Sequence, residues 1–162
     1  MKEYQSWGTL ESYLSEITRQ IAVEGFSPNV VLGPGRGGYP IGVMLSHYFE
    51  VPFHGFEWTT RDHGMIKEST RLETILSKYN NKNILIIDDI NDSGETLTAI
   101  DEVVFTYDKE ENNNTFFLQD SIKYATLYDK ESSKFDKVSY AGKVVTPEEE
   151  RWIVFPYEEW WK

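Results

Sequence analysis

Two adjacent carboxylates at the end of an apolar run, followed at once by a small polar turn, make the stretch Ile84-Leu-Ile-Ile-Asp88-Asp89-Ile90-Asn91-Asp92-Ser93-Gly94-Glu95-Thr96-Leu97 the part of this chain best suited to chemistry. Four apolar residues in succession have neither a helical nor an alternating period, which predicts a parallel strand covered on both faces. Asp88 and Asp89 then fall at its C-terminal end. That edge of an open α/β sheet is where ligands bind, and a polyhydroxyl group there could donate hydrogen bonds to both carboxylates. Behind them, Asp92-Ser93-Gly94-Glu95-Thr96 opens a helix whose free N–H groups, dipole and two hydroxyls suit a phosphate. Taken alone, the same residues could be an ordinary N-cap and two solvated strand-end charges.

A second candidate is Gly33-Pro34-Gly35-Arg36-Gly37-Gly38. Glycines there let the backbone approach a ligand closely and present successive N–H groups, while Arg36 supplies a cation for an anionic partner. A tight turn before a helix accounts for an isolated Gly-rich loop equally well.

Helix and strand patterns alternate around these segments. Leu10, Tyr13, Leu14, Ile17 and Ile21 recur at helical spacing over 9–24, with Thr9 as N-cap and Gly25 just past the end. Residues 29–33 read as a short buried strand, and 38–49 as a helix with Pro40 in its first turn, where the missing N–H costs nothing. Strands are predicted at 53–58, 84–88 and 122–128, a helix over 95–106 behind the polar turn, and short extended pieces at 144–145 and 152–155. This alternation implies parallel β-α-β units, hence an α/β class with a parallel sheet core flanked by helices. Residues 59–69 are polar and read as a mobile loop before a helical pattern over 71–79. Residues 107–121 read as a polar surface insertion. Neither looks like a domain boundary, which predicts a single domain over 1–162 with its core at about 26–130 and a C-terminal segment at about 140–162.

At 162 residues, with 40% apolar and 15% aromatic residues, the chain can bury a real core. A formal charge of −11 speaks against a nucleic-acid surface, so an anionic substrate must be met by local positive groups. The absence of cysteine excludes disulfides, zinc–thiolate sites and a thiol nucleophile. No signal-peptide core opens the chain and no stretch approaches the ~20 apolar residues of a membrane span, so a cytoplasmic protein is expected.

The segment 84–96 closely resembles the 5-phosphoribosyl-1-pyrophosphate (PRPP) motif of the type I phosphoribosyltransferases: four hydrophobic residues, two acidic, two variable, then Asp-Ser/Thr-Gly-x-Thr. A receiver domain also ends a strand in paired acids, but near its start and without a following Ser-Gly-x-Thr. The resemblance runs from about residue 30 to 156 and implies the type I phosphoribosyltransferase fold with a small C-terminal hood. It gives Asp88 and Asp89 the ribose hydroxyls, with Asp89 as the Mg²⁺ contact. Asp92, Ser93, Gly94, Glu95 (through its backbone) and Thr96 take the 5′-phosphate, and Asp92 is also the catalytic general acid or base at purine N7. Gly35, Arg36 and Gly37 match the pyrophosphate loop, which in that family often holds a non-proline cis peptide, here expected at Gly35–Arg36; the xanthine-guanine type has a similar Ser-Arg-Gly-Gly.

The tail is similar to the xanthine-guanine and hypoxanthine-guanine enzymes, whose Trp-Ile is followed shortly by Pro and an aromatic. This resemblance implies base-binding roles for Lys130 on a 6-oxo group, Trp152 as a stacking face, and Ile153. Stacking of that kind is worth ~1–3 kcal/mol by analogy with nucleic-acid bases. Trp152 could instead be a core residue among five tryptophans, and Lys134 rivals Lys130. Trp160, Trp161 and Tyr157 would fit a hood or an oligomer interface. Arg61 and Lys67 belong to a flexible loop that closes over PRPP. The implied reaction is Mg²⁺-dependent transfer of a 5-phosphoribosyl group from PRPP to xanthine, guanine or hypoxanthine, releasing pyrophosphate, by a homodimer or homotetramer without nucleic-acid or membrane partners. A pyrimidine or orotate acceptor is one alternative, although residues 59–69 lack its lysine-rich loop; a PRPP-sensing regulator of the same fold is the other. The chain departs from the family in its 107–121 insertion, in Ser93 for the commoner threonine, and in the longer spacing from Lys130 to Trp152.

Overall fold

A computed structural model describes residues 1–59, 66–111 and 120–162. Its elements, in chain order, are β1 (Lys2–Tyr4), α1 (Trp7–Glu24), β2 (Val30–Pro34), α2 (Gly35–Phe49), β3 (Phe53–Phe56), β4 (Trp58–Thr59), β5 (Ile66–Lys67), α3 (Ser69–Lys78), β6 (Ile84–Asn91), α4 (Glu95–Glu111), β7 (Ile122–Lys130), β8 (Val138–Val145), a 3₁₀ turn (Pro147–Glu149) and β9 (Trp152–Val154). The strands β3-β2-β6-β7-β8 form one sheet in that order, with every neighbouring pair parallel.

The apolar runs of β2 and β6 are central because side chains of alternate residues point to opposite faces, and helices cover both. On one face Val31, Leu85, Ile87 and Leu127 pack against Leu10, Leu14, Ile17 and Ile21 of α1 and Ile41 and Leu45 of α2. On the other, Val30, Leu32, Ile84 and Ile86 meet Leu72, Ile75 and Leu76 of α3 and Leu97, Ile100 and Val104 of α4. After β2 the chain forms β3 on one side and then returns to place β6 on the other. The strand order thus reverses between β2 and β6, and the crevice outside their C-terminal ends is the place where an open α/β sheet accepts a ligand.

Several boundaries differ from the sequence reading. The α1 N-cap is Ser6, whose Oγ accepts from Thr9 N at 3.0 Å, so Thr9 lies inside the helix as donor. Gly25 ends that helix as expected. Helix α2 begins at Gly35, three residues early, which moves Pro40 into the second turn, where its ring forgoes a helical hydrogen bond. β8 is an eight-residue edge strand where only residues 144–145 looked extended; its half-buried, polar-interrupted pattern hides it. α4 continues to Glu111, so part of the presumed insertion is helix. In the loop expected at 59–69, Thr59 and the pair Ile66–Lys67 belong to the antiparallel pair β4–β5; Arg61 lies outside the described residues. The first residues, which the sequence leaves without a role, form β1 and pair in parallel with β9, setting Lys2 opposite Trp152. No described helix is long and apolar enough to cross a membrane.

Candidate active site

At the switch point lies an open cleft of about 1160 Å³. Its floor is the continuous run Asp88 to Leu97, one wall is Gly35, Arg36 and Gly37 at the start of α2, and the other is formed by Trp152, Val154, Tyr157 and Glu158. The fold therefore gathers on one crevice the two segments singled out first, at the ends of β2 and β6, together with the C-terminal tail.

Asp88 is 8% exposed, and its Oδ1 accepts from the Asp89 amide at 3.0 Å. Burial and the neighbouring Asp89 charge hold the Asp88 carboxyl well above the usual carboxylate range. Asp89 is pushed up to about 6 by burial, with Glu158 adding repulsion. Its Oδ2 accepts a long hydrogen bond, 3.4 Å, from the Tyr157 hydroxyl. Two carboxylates held this way favour a cation between or beside them. Among the described residues no group of three or more metal-ligating side chains occurs. The pair therefore fits a hard divalent ion that takes one or two protein carboxylates and draws its other ligands from water and phosphate oxygens.

The turn between β6 and α4 bends at Gly94. Gly94 has φ +86°, a left-handed conformation that glycine adopts without strain, and its carbonyl starts α4 by accepting from Thr98 N at 2.9 Å. Ser93 Oγ accepts from Glu95 N at 3.3 Å, while Ser93 and Thr96 are half-buried at the cleft and Glu95 is exposed. The first N–H groups of α4 thus face the cleft floor with a partial positive charge.

The Gly-rich segment departs from expectation. No cis peptide occurs among the described residues, so Gly35–Arg36 is trans; the sharp bend is made instead by Gly35 at φ +54°. The segment is the first turn of α2, and Arg36 is exposed on the cleft. Gly37 sits directly against the acidic pair: a Cβ there would lie 2.5 Å from Asp89 Oδ2.

The three tail residues separate. Trp152 is 64% exposed and lines the cleft. Ile153, its neighbour on β9, points to the other face, against the core and a small hollow of about 10 Å³ that it shares with Lys130. Lys130, with a side chain only 11% exposed, places its Nζ 2.6 Å from Asp92 Oδ1 and 3.6 Å from Glu150 Oε2. The two residues expected at the base and at the chemistry are therefore paired with each other. Lys134 is exposed, and its backbone N–H, not its side chain, reaches Ser93 O. Lys67 is exposed on β5 and does not line the cleft.

The family profile of the phosphoribosyl transferase domain matches residues 1–161. The chain belongs to this family. The protein is accordingly an enzyme of that type. Among solved structures, a purine phosphoribosyltransferase from Pyrococcus horikoshii is 25% identical, with a TM-score of 0.67 over 98% of this chain and 94% of that one. A xanthine-guanine-hypoxanthine phosphoribosyltransferase from Helicobacter pylori is 20% identical, with a TM-score of 0.64 over 98% and 95% of the two chains. The HGPRT-ase of Leishmania tarentolae in complex with GMP is 18% identical, with a TM-score of 0.58 over 86% and 78%. The latter two likenesses concern the fold. No curated protein matches the sequence.

Several cleft residues of this phosphoribosyltransferase escape sequence reasoning. Tyr157, expected at an interface, is half-buried, stacks on Phe155 at 5.5 Å and reaches Asp89. Glu57 and Trp58 follow β3 into the cleft, and Lys2 arrives from β1 and pairs with Glu159 at 3.1 Å. Asn91 stands in one of the two variable positions of the motif and is 1% exposed. A polar residue closing an apolar strand was its only signal.

Proposed function

We propose that this enzyme transfers the 5-phosphoribosyl group of PRPP to a ring nitrogen of a 6-oxopurine, giving the nucleoside 5′-monophosphate and pyrophosphate. The observation that carries this reading is the juxtaposition, at one switch point, of the Asp88–Asp89 pair, the N-terminus of α4 and the Gly35–Arg36–Gly37 turn. In this reading the two carboxylates hold the ribose hydroxyls, and Ser93, Gly94, Glu95 and Thr96 surround the 5′-phosphate with N–H and O–H donors. The Gly35–Gly37 turn and Arg36 meet the pyrophosphate, so the leaving group departs toward a cation and backbone donors that need no reorganisation. Asp89, supported by Asp88, is the residue to hold Mg²⁺, which when bound neutralises charge on the departing pyrophosphate.

As positive charge develops on the sugar, the neighbouring carboxylates stabilise it. Asp92 accepts or returns the proton at purine N7, and its ion pair with Lys130 keeps it oriented before the base arrives. Lys130 reaches a 6-oxo group by exchanging Asp92 for the base while Glu150 retains part of its charge, and the exposed indole of Trp152 offers the stacking face. The likeness to the purine phosphoribosyltransferase of Pyrococcus and the xanthine-guanine-hypoxanthine phosphoribosyltransferase of Helicobacter supports a purine acceptor. We take residues 1–162 as one domain working in the cytoplasm as a homodimer or homotetramer, a state that light scattering would read directly.

The test is pyrophosphate release from PRPP and Mg²⁺ with hypoxanthine, guanine, xanthine, adenine, uracil and orotate offered separately. Release with 6-oxopurines and not with the others is expected. Release only with adenine or a pyrimidine would overturn the acceptor, and PRPP binding without release for any base would favour a ligand-sensing role.

A further inference from the structure

Between the acidic pair and the phosphate loop stands Asn91, a wholly buried amide in a strand that is otherwise apolar up to Asp88. Its Nδ2 donates to Asp129 Oδ1 at 2.8 Å and to Phe135 O at 2.9 Å, and its Oδ1 accepts from Ser133 Oγ at 2.8 Å. Both donors and an acceptor lone pair are thus used, which is what a buried amide requires. All three partners lie at the end of β7 or in the turn that follows Lys130, far from Asn91 in sequence. The same turn reaches the phosphate loop by a second route: Lys134 N donates to Ser93 O at 3.2 Å. It also fills the space beside Gly94, where a Cβ would lie 2.5 Å from Phe135 N and 2.8 Å from Ser133 Oγ. Ser133 Oγ further accepts from Phe135 N at 3.2 Å, which fixes the hydroxyl itself.

We propose that Asn91 and Ser133 are positioning residues for the 5′-phosphate cradle: through them the 133–135 segment forms a rear wall that holds Ser93 and Gly94 in their binding conformation. The inference deepens the function proposed above and rests on its assignment of the phosphate to residues 93–96. A loop that binds through backbone N–H groups works only while those groups stay aimed, and this loop begins with a left-handed glycine and has few side chains of its own to stiffen it. A buried, fully satisfied amide network supplies that stiffness, and breaking one member leaves the others unpaired in a dry site.

The experiment is calorimetric titration of the full chain with PRPP in the presence of Mg²⁺, for the unaltered protein, Ser133→Ala, Ser133→Thr and Asn91→Ala. Ser133→Ala is expected to weaken PRPP binding about ten-fold, equivalent to ~1.4 kcal/mol, with Ser133→Thr staying within about two-fold of the unaltered protein because the hydroxyl is kept. Asn91→Ala is expected to weaken it at least as much, but it opens a buried hole and risks the fold; Ser133→Ala therefore decides. In the turnover assay the KM for the base should stay unchanged while that for PRPP rises. PRPP affinity in Ser133→Ala equal to that of the unaltered protein would overturn the proposal, as would equal losses in Ser133→Ala and Ser133→Thr, which would make the contact one of packing alone. An unaltered protein that binds PRPP but releases no pyrophosphate with any base would sink the salvage reaction and leave the binding ratios to judge the rear wall. An unaltered protein that does not bind PRPP at all would overturn both.

Discussion

The carboxylates of the cleft do unlike work because their surroundings differ. Asp92 is half-exposed and neutralised by the Lys130 ammonium 2.6 Å away, whereas Asp88 and Asp89 are crowded together in a drier place. Asp92→Asn keeps the shape and the hydrogen-bonding reach of the side chain but removes the proton acceptor. Its expected effect is a fall in kcat of about 10²- to 10⁴-fold with PRPP affinity unchanged; steady-state kinetics beside calorimetry would show it, and undiminished turnover would remove Asp92 from the chemistry. The acidic pair makes a prediction about pH. A carboxyl raised on folding, as Asp89 is from 3.8 to about 6, keeps its proton in the native state at pH values where the unfolded chain has already lost it. The native state then binds more protons, so stability rises as pH falls through that window and declines again toward pH 7. The ligand-free protein should therefore melt at a higher temperature at pH 5 than at pH 7, and Asp89→Asn should flatten the difference. Glu16 and Glu159, both lowered to about 2, act in the opposite direction only below the ordinary glutamate range. His54, lowered by burial, opposes the trend within the window itself, but it is shared by both proteins, so the difference between them isolates Asp89. A profile unchanged in Asp89→Asn would contradict the assignment.

At the scale of elements, β6 and its turn were legible because a buried parallel strand writes a continuous apolar run and the acids mark its end. The start of α2 was not, since Gly35-Arg36-Gly37-Gly38 has poor helix propensity and only tertiary contact explains it. That turn must lie flat against β6, and any side chain at Gly37 would occupy the position of the Asp89 carboxylate. Gly37→Ala should consequently weaken PRPP binding at least ten-fold with little change in melting temperature, because the added methyl meets a functional side chain at the cleft rather than the core. A large loss of stability without loss of affinity in the residual folded protein would speak against this. β8 was hidden by its edge position, and the pairing of β1 with β9 by its distance in sequence, since no local pattern announces a partner some 150 residues away. Met1, just before β1, supplies the carbonyl that accepts from Trp152 N at 3.2 Å, and the β1–β9 pairing sets the strand that carries the indole. Deleting residues 1–5 should raise the KM for the base several-fold and leave PRPP affinity within about two-fold, since the ribose contacts lie at the end of β6 and the phosphate contacts in the turns that open α2 and α4. Equal losses for both substrates would show that β1 supports the whole cleft instead.

The whole molecule sets the terms on which an anion can enter. The formal charge is −11, and the described residues lining the cleft include seven carboxylates, Glu57, Asp88, Asp89, Asp92, Glu95, Glu158 and Glu159, against two cations, Lys2 and Arg36. The net charge was plain from composition, but its concentration in the cleft was not, because Glu57 and the tail acids arrive there only through the fold. Pyrophosphate without a divalent ion thus meets short-range attraction from Arg36 and the α4 N–H groups inside a longer-range repulsive field. Added salt shortens the screening length from ~30 Å at 0.01 M to ~10 Å at 0.1 M, which removes more of the distant repulsion than of contacts made at hydrogen-bond range. Metal-free pyrophosphate should for that reason bind more tightly as sodium chloride rises through this range, the reverse of the behaviour of a basic nucleic-acid surface. With Mg²⁺ present the dependence should flatten, because the ligand then enters with much of its charge already compensated. Titration calorimetry at several salt concentrations, with and without Mg²⁺, would separate the cases: steep weakening with salt in the absence of metal would mean that Arg36 and Lys2 dominate the field and that the carboxylates are not what the approaching anion meets.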